Sequence, residues 1–201
     1  DFAEADRLLA EALAQDPAFA KAWELRAAVM MMMDEYGGSE LDVAQIYRIA
    51  TDYAEKALAL DPRSALALAS IANISRMTAQ NLSQAANHSS TIADLERAIE
   101  IDPHNSNAMN WLGIAFGLVG ENERALSEYG RYLATKPADR ALAEEAKTSR
   151  VSLAVKLAKE GEPRHTRIAL DGLGDVSKTV RYFAALQVAS LGPEEGKPAI
   201  P

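Results

Sequence analysis

Four proline-closed endings divide the first two thirds of this 201-residue chain. Asp16-Pro17, Asp61-Pro62, Asp102-Pro103 and Lys136-Pro137 each follow an apolar helical run, at spacings of 45, 41 and 34 residues. A residue before proline is pushed out of the helical region and proline cannot continue the hydrogen-bond ladder, so each pair is a helix stop. Stops that recur with the same texture in front of them mark an internal repeat of short helical units.

The runs between the stops carry a helical period. Phe2, Ala5, Leu8, Leu9, Ala12 and Leu13 fall on one side of 2–15, with Glu4, Asp6, Arg7 and Glu11 mostly on the other. A second helix is expected from Ala18 to about Met33 around Trp23 and Ala27, with Gly37-Gly38 as its exit. Its methionines 30 to 33 point around the helix, and core filling is the reading favoured for at least two of them. Ser39 followed by Asp42 has the spacing of an N-cap, opening a helix that runs to about Leu60. Further helices are expected over 64–77, 91–101, 105–119, 123–135 and on to about Lys159. Gly161, Glu162 and Pro163 break the pattern, and 164–170 and 176–191 resume it, the latter capped by Asp175. The polar stretch Thr78 to Ser90 reads as an extra turn and a loop, and 192–201, with three prolines and two glycines, as a flexible tail.

Aligned on their prolines, the units repeat a small residue five positions earlier, at Ala12, Ala57 and Ala98, with Tyr132 in the last. Ala5, Ala50, Thr91 and Ala125 precede these by seven. Small side chains let helix axes approach to the short end of the usual spacing, and Leu9, Leu95 and Tyr129 then fill the groove beside the contact. A two-helix unit of this kind cannot hide its apolar face alone, and stacking on neighbours is the expected solution.

On these residues the chain resembles the tetratricopeptide repeat family, whose unit has about 34 residues. Met109, Leu112, Gly113, Phe116, Gly120, Ala125, Tyr129 and Pro137 fit its positions, with Tyr132 in place of the later alanine. Trp23, Ala27, Ala50, Ala54, Ala57 and Pro62 fit a unit lengthened by 11 residues, and Leu68, Ile71, Ala72, Leu95, Ala98 and Pro103 one lengthened by 7. Phe2, Ala5, Leu9, Ala12 and Pro17 match the second half of a unit, which points to a longer protein. The resemblance implies an all-α, right-handed superhelical solenoid of antiparallel helix pairs. Its parts would be a half repeat 1–17, lengthened repeats at about 20–64 and 65–105, a regular repeat 106–137 and a degenerate repeat or cap 138–191.

In the resembled family the first helix of each unit lines a concave groove. Carried over by position, the peptide-binding residues are Lys21, Glu24, Asn73, Arg76, Asn107, Asn110, Ile114 and Leu118, beside Ala28, Leu66, Ala69 and Gly117. Asparagine can bond a peptide main chain through both amide atoms, which singles out Asn73 and Asn110. The implied function is protein–protein interaction with a protein or peptide partner. Two alternatives are a regulatory or sensor region of a larger signalling or transcription-regulating protein, of the texture seen in bacterial regulators, and a self-association scaffold. The homo-oligomer would use Met30 to Met33 or the C-terminal helices.

The same residues weigh against other classes. A formal charge of -8 repels phosphate backbones, so no direct nucleic-acid role is expected. No run has the length and apolarity of a membrane span. There are no cysteines, and His88, His104 and His165 lie far apart, with His88 and His104 expected at the surface. No zinc-protease, phosphate-loop or nucleophile-elbow motif occurs, so neither an enzyme, a metal site nor a cofactor is expected. The compartment stays open: the cytoplasm is favoured, and the periplasm would require an upstream signal or membrane helix.

Overall fold

The computed structural model describes residues 2–36, 40–81 and 87–191, and these form an all-α repeat fold with no strand among them. The helices are α1 (Phe2–Gln15), α2 (Ala20–Tyr36), α3 (Val43–Leu60), α4 (Ala65–Asn81), α5 (His88–Ile101), α6 (Ser106–Leu118), α7 (Asn122–Ala134), α8 (Arg140–Lys159), α9 (Thr166–Gly172) and α10 (Lys178–Ala189). A 3-10 turn, Pro163–His165, precedes α9. The chain divides into two compact units, residues 1–108 and 109–201, with the division inside α6.

The Asp-Pro endings share one hydrogen-bond scheme. The amides of Asp16, Asp61 and Asp102 donate to the carbonyls of Ala12, Ala57 and Ala98 at 2.9, 2.8 and 2.9 Å, closing the last turn. Their Oδ1 atoms accept from the amides of Ala18, Arg63 and His104 at 3.0, 2.9 and 3.0 Å, so each aspartate forms the turn that its sequence predicts. Lys136-Pro137 differs: Lys136 sits at φ 54, a left-handed conformation in which a residue with a Cβ is strained. Glycine makes the corresponding turn without that cost after α6 and α8. Gly120 (φ 80) and Gly161 (φ 102) let the next amides, of Glu121 and Glu162, reach back to the carbonyls of Phe116 and Leu157, both at 2.9 Å.

Helix starts depart from expectation in two places. The cap of α3 is Asp42, whose Oδ1 accepts from the Gln45 amide at 2.8 Å while Gln45 Oε1 accepts from the Asp42 amide at 3.0 Å. Ser39 and Gly37-Gly38 lie outside the described residues, as does the 192–201 tail. The cap of α10 is Ser177 instead of Asp175, because Asp175 Oδ1 is turned onto the Ser177 amide at 2.8 Å and towards Lys147. The polar stretch Thr78 to Ser90 is helical at both ends: α4 runs on to Asn81, and α5 starts at His88 under an Asn87 cap. Residues 82–86 are outside the described set.

In unit 1, α2 packs against α1, α3 and α4, α3 packs against α4, and α4 against α5. One seam is made of alanines, Ala27, Ala54, Ala57 and Ala67, with Trp23, Tyr53, Leu58 and Ile71 against it. A second cluster joins Met30, Met33, Ile46, Tyr47, Ala50 and Ile74. Met30 and Met33 are therefore core residues, and the partly buried Met31 packs on the same cluster. Burying a side chain of this size stabilises by about 1.5–3 kcal/mol. Trp23 remains half-buried: its Nε1 donates to the Pro17 carbonyl at 2.9 Å, and its ring meets that of Tyr53 at 5.4 Å between centroids. Arg26 lies 4.4 Å from the Tyr53 ring and pairs with Asp6 at 2.7 Å, which ties α1 to the α2–α3 seam.

In unit 2, Met109, Leu112, Ala115 and Phe116 of α6 are buried, as are Ala125, Leu126, Tyr129 and Tyr132 of α7. A Cβ on Gly113 would lie 3.1 Å from the Tyr129 ring, so a side chain there would require that ring to give way. Tyr132 is 1% exposed and fills with a ring the position that alanine holds in the preceding units. The 20-residue α8 is the hub of the C-terminal helices, packing against α7, the 3-10 turn, α9 and α10. Its Ala154 and Leu157 meet Leu126, and its Val151, Val155 and Ala158 meet Ala169, Ala184 and Leu191. Three helices converge at Gly172, where a Cβ would come within 2.9 Å of Ala184 Cβ and 3.0 Å of Val151 Cγ2.

The close approach at Gly172 makes it intolerant of a side chain. Gly172→Ala should lower stability by about 1–3 kcal/mol, since no rotamer can relieve a Cβ clash. Gly117→Ala, with nothing within 4 Å, should raise it by up to about 1 kcal/mol through helix propensity. Urea unfolding of both variants checks the contrast. A second expected outcome concerns acid. Burial disfavours the charge of Asp175, but the Ser177 amide and Lys147, 2.9 Å away, outweigh it and hold the carboxyl below its ordinary 3.8. Its contribution is therefore complete above pH 3.8 and disappears as pH falls through the lower folded value. Lys147→Met should move the onset of acid-induced loss of near-UV dichroism to higher pH than in the unaltered chain.

Candidate peptide-binding faces

The residues assigned to a groove separate into three groups. Lys21, Asn107 and Leu118 are exposed, Arg76 and Ile114 are half-buried, and Glu24, Asn73 and Asn110 are buried. On α2, Glu24 is 6% exposed and both its oxygens are used. One takes the Lys21 ammonium and the other the Ser64 hydroxyl. Ser64 Oγ in turn accepts from the Ala67 amide at 3.1 Å, so it caps α4 while donating to Glu24. A buried carboxylate with two donors is stable where an unpaired one would not be. Glu24 thus ties α2 to the start of α4, and leaves Lys21 as the solvent-facing group of the pair.

On α4, Leu66, Ala69, Ser70, Asn73, Arg76 and Met77 lie along one side, and Ala69, Ser70 and Asn73 are buried. The Asn73 amide is polarised by its neighbours. Arg76 Nη2 donates to Asn73 Oδ1 at 2.8 Å, and Asn73 Nδ2 donates to Met77 Sδ at 3.6 Å. A thioether is a weak acceptor, so the carbonyl end is well satisfied and the amino end poorly so. Arg76 also donates through Nη1 to Gln80 Oε1 at 3.1 Å, which stretches the guanidinium along the helix surface. Asn107 is exposed in the first turn of α6, whose start is capped by Asn105 Oδ1 accepting from the Ala108 amide at 3.0 Å.

In unit 2, Asn110, Ile114 and Leu118 follow one another at helical spacing on α6. They run from buried through half-buried to 56% exposed, with Gly117 leaving open space beside the last. That stripe is a graded polar-to-aliphatic strip along one helix.

Sequence reasoning missed a charged cluster in the same unit. Glu123 of α7 accepts from Arg164 Nη2 and shares its oxygen with His165 Nε2, each at 2.8 Å, and Glu162 lies 3.4 Å from Arg164. His165 is buried, whereas His88 is half-buried and His104 exposed. Arg164 first, then His165, hold the Glu123 carboxyl below its ordinary range. Glu123, Glu162 and His165 bring ligand-type atoms within 4.8 Å of one another, a grouping that a metal could use. The Arg164 guanidinium, however, is already bonded to the same carboxylates, and the arrangement serves as a tie between α7 and the 3-10 turn. Glu123 and His165 are 42 residues apart, and no spacing motif joins them.

No family model matches the chain, and no curated protein matches it. Among solved structures, YrrB, described as a tetratricopeptide repeat protein with an unusual peptide-binding site, superposes with a TM-score of 0.65 at 16% identity. The match covers 94% of this chain and 86% of that one. A thermophilic tetratricopeptide repeat protein of Thermus thermophilus, TTC0263, gives 0.60 at 15% identity over 94% and 91%. MamA gives 0.56 at 20% identity over 94% and 90%. With helix pairs, Asp-Pro turns and alanine seams at the repeat positions, these similarities identify the fold of the chain as that of the tetratricopeptide repeat proteins.

Proposed function

We propose that the chain is a protein-interaction module without chemistry of its own, which takes a short extended peptide or a partner helix on the first-helix faces of its repeats. The observation that carries this is Asn73. A buried amide whose amino group meets only a thioether has a strong donor in reserve, and a peptide carbonyl is the acceptor that would use it. Arg76, already fixed through Asn73 Oδ1 and Gln80, supplies a positioned cation beside it. Lys21 adds an exposed ammonium on α2. Asn110, Ile114 and Leu118 on α6 offer one buried amide and two aliphatic contacts in unit 2. Within either unit, polar groups beside aliphatic ones on one helix fit a peptide recognised by its main chain and by one or two apolar side chains. The peptide-binding site attributed to YrrB, which has the same fold, supports the class of ligand and not its sequence.

A displayed library of random peptides selected on the intact chain, followed by calorimetry of an enriched peptide, tests the assignment. Asn73→Ala, for a peptide held by unit 1, or Asn110→Ala, for one held by unit 2, should weaken binding about tenfold, the loss of one buried hydrogen bond, with helical dichroism unchanged. Undiminished affinity in both variants would move the site off these faces.

A further inference from the structure

The helix α10 is apolar on two opposite sides. Val180 and Ala184, with Leu191 just beyond, are buried against α8 and α9, as the packing of unit 2 requires. The opposite side, formed by Lys178, Thr179, Tyr182, Ala185, Leu186 and Ala189, faces solvent, with Tyr182 70% and Leu186 54% exposed. By contrast, α3 turns Arg48, Asp52, Glu55 and Lys56 outward. An aromatic and an aliphatic side chain left exposed side by side on the outer face of a packed helix mark a surface where another apolar surface can dock.

We propose that this outer side is a two-fold interface with a second copy of the chain, in which α10 packs antiparallel on its own equivalent. The alternation of large and small residues is self-complementary under such an axis. With the axis passing between Ala185 and Leu186, Tyr182 faces the second copy's Ala189, and Ala185 faces its Leu186. Each bulky side chain thereby meets a methyl group, the pairing that lets helices approach closely and that isologous contacts need twice over. The electrostatics agree. No acidic residue occurs on α10, and its exposed Lys178 is in no ion pair among the described residues. Antiparallel packing sets each Lys178 towards the carboxyl end of the opposite helix, where the backbone dipole is negative. A parallel pair would instead set the two lysines side by side. Arg181 does not compete, since its guanidinium is bonded to the Asp175 and Val176 carbonyls at 2.6 and 3.0 Å. One helix pair is a small interface, below about 1,200 Å² in total, so the dimer forms with rising concentration and is not obligate.

Sedimentation of the intact chain from low micromolar to near-millimolar concentration reads the association directly. The expected result is a mass rising towards that of two chains, abolished by Leu186→Glu, a substitution at an exposed site that leaves helical dichroism intact. The chain has no native cysteine, so Ala185→Cys, next to the axis, should oxidise to a disulfide-linked dimer, whereas Ala93→Cys on an exposed position of α5 should not. A monomer at every concentration overturns the proposal. So does a dimer that survives Leu186→Glu, or one in which both cysteines cross-link equally.

Discussion

The fold depends on helices coming close enough for alanine to be the contact residue. In unit 1, Ala27, Ala54, Ala57 and Ala67 are 0% exposed and together form one seam. Alanine alone buries little apolar surface, so the stability of the seam comes from what closeness permits: Trp23, Tyr53, Leu58 and Ile71 close over it and Met30, Met33, Ile46 and Ile74 fill the space beyond. In unit 2 the same economy is seen at Gly113 against Tyr129 and at Gly172 between α8 and α10.

Close packing also decides what polar groups can do. A carboxylate drawn into the α2–α4 contact must find donors there, and Glu24 takes Lys21 and Ser64. Asn73 is drawn in equally far but finds one good partner and one poor one. Neighbouring positions in one repeat grammar thus diverge, one consumed in holding helices together and the other left with bonding capacity. Burial with full satisfaction at Glu24 and burial with a weak partner at Asn73 are the two outcomes of drawing a polar side chain into close-packed helices.

Much of this is legible from residue order. The Asp-Pro stops, Ala57 and Ala98 five positions before theirs, Gly113 and Gly120 each have a local steric or hydrogen-bonding meaning, and the structure places each where that meaning requires, whereas Ala12 is only half-buried. Pairings between distant segments are not legible. Glu24 with Ser64, Arg26 with Asp6, and Glu123 with Arg164 and His165 join different elements, and nothing local announces them. The cap of α10 differs from expectation for a related reason: Asp175 and Ser177 both precede the helix, and Lys147, from α8, holds Asp175. Position in the repeat nominates the candidate binding residues, but position cannot say that Asn73, Asn110 and Glu24 are buried while Lys21 and Leu118 stay in water.

The claim on which the account rests is that alanine in the seam is a spacing element and not a helix former alone. Replacing Ala57, which is 0% exposed, and Ala59, exposed two residues away on α3, each by leucine separates the two roles, because leucine is nearly as good a helix former as alanine. Chemical denaturation should show Ala57→Leu losing about 1–3 kcal/mol by overpacking and Ala59→Leu changing by less than about 0.5 kcal/mol. Equal stability of the two variants would contradict the account, because it would mean the helices are not held at alanine distance.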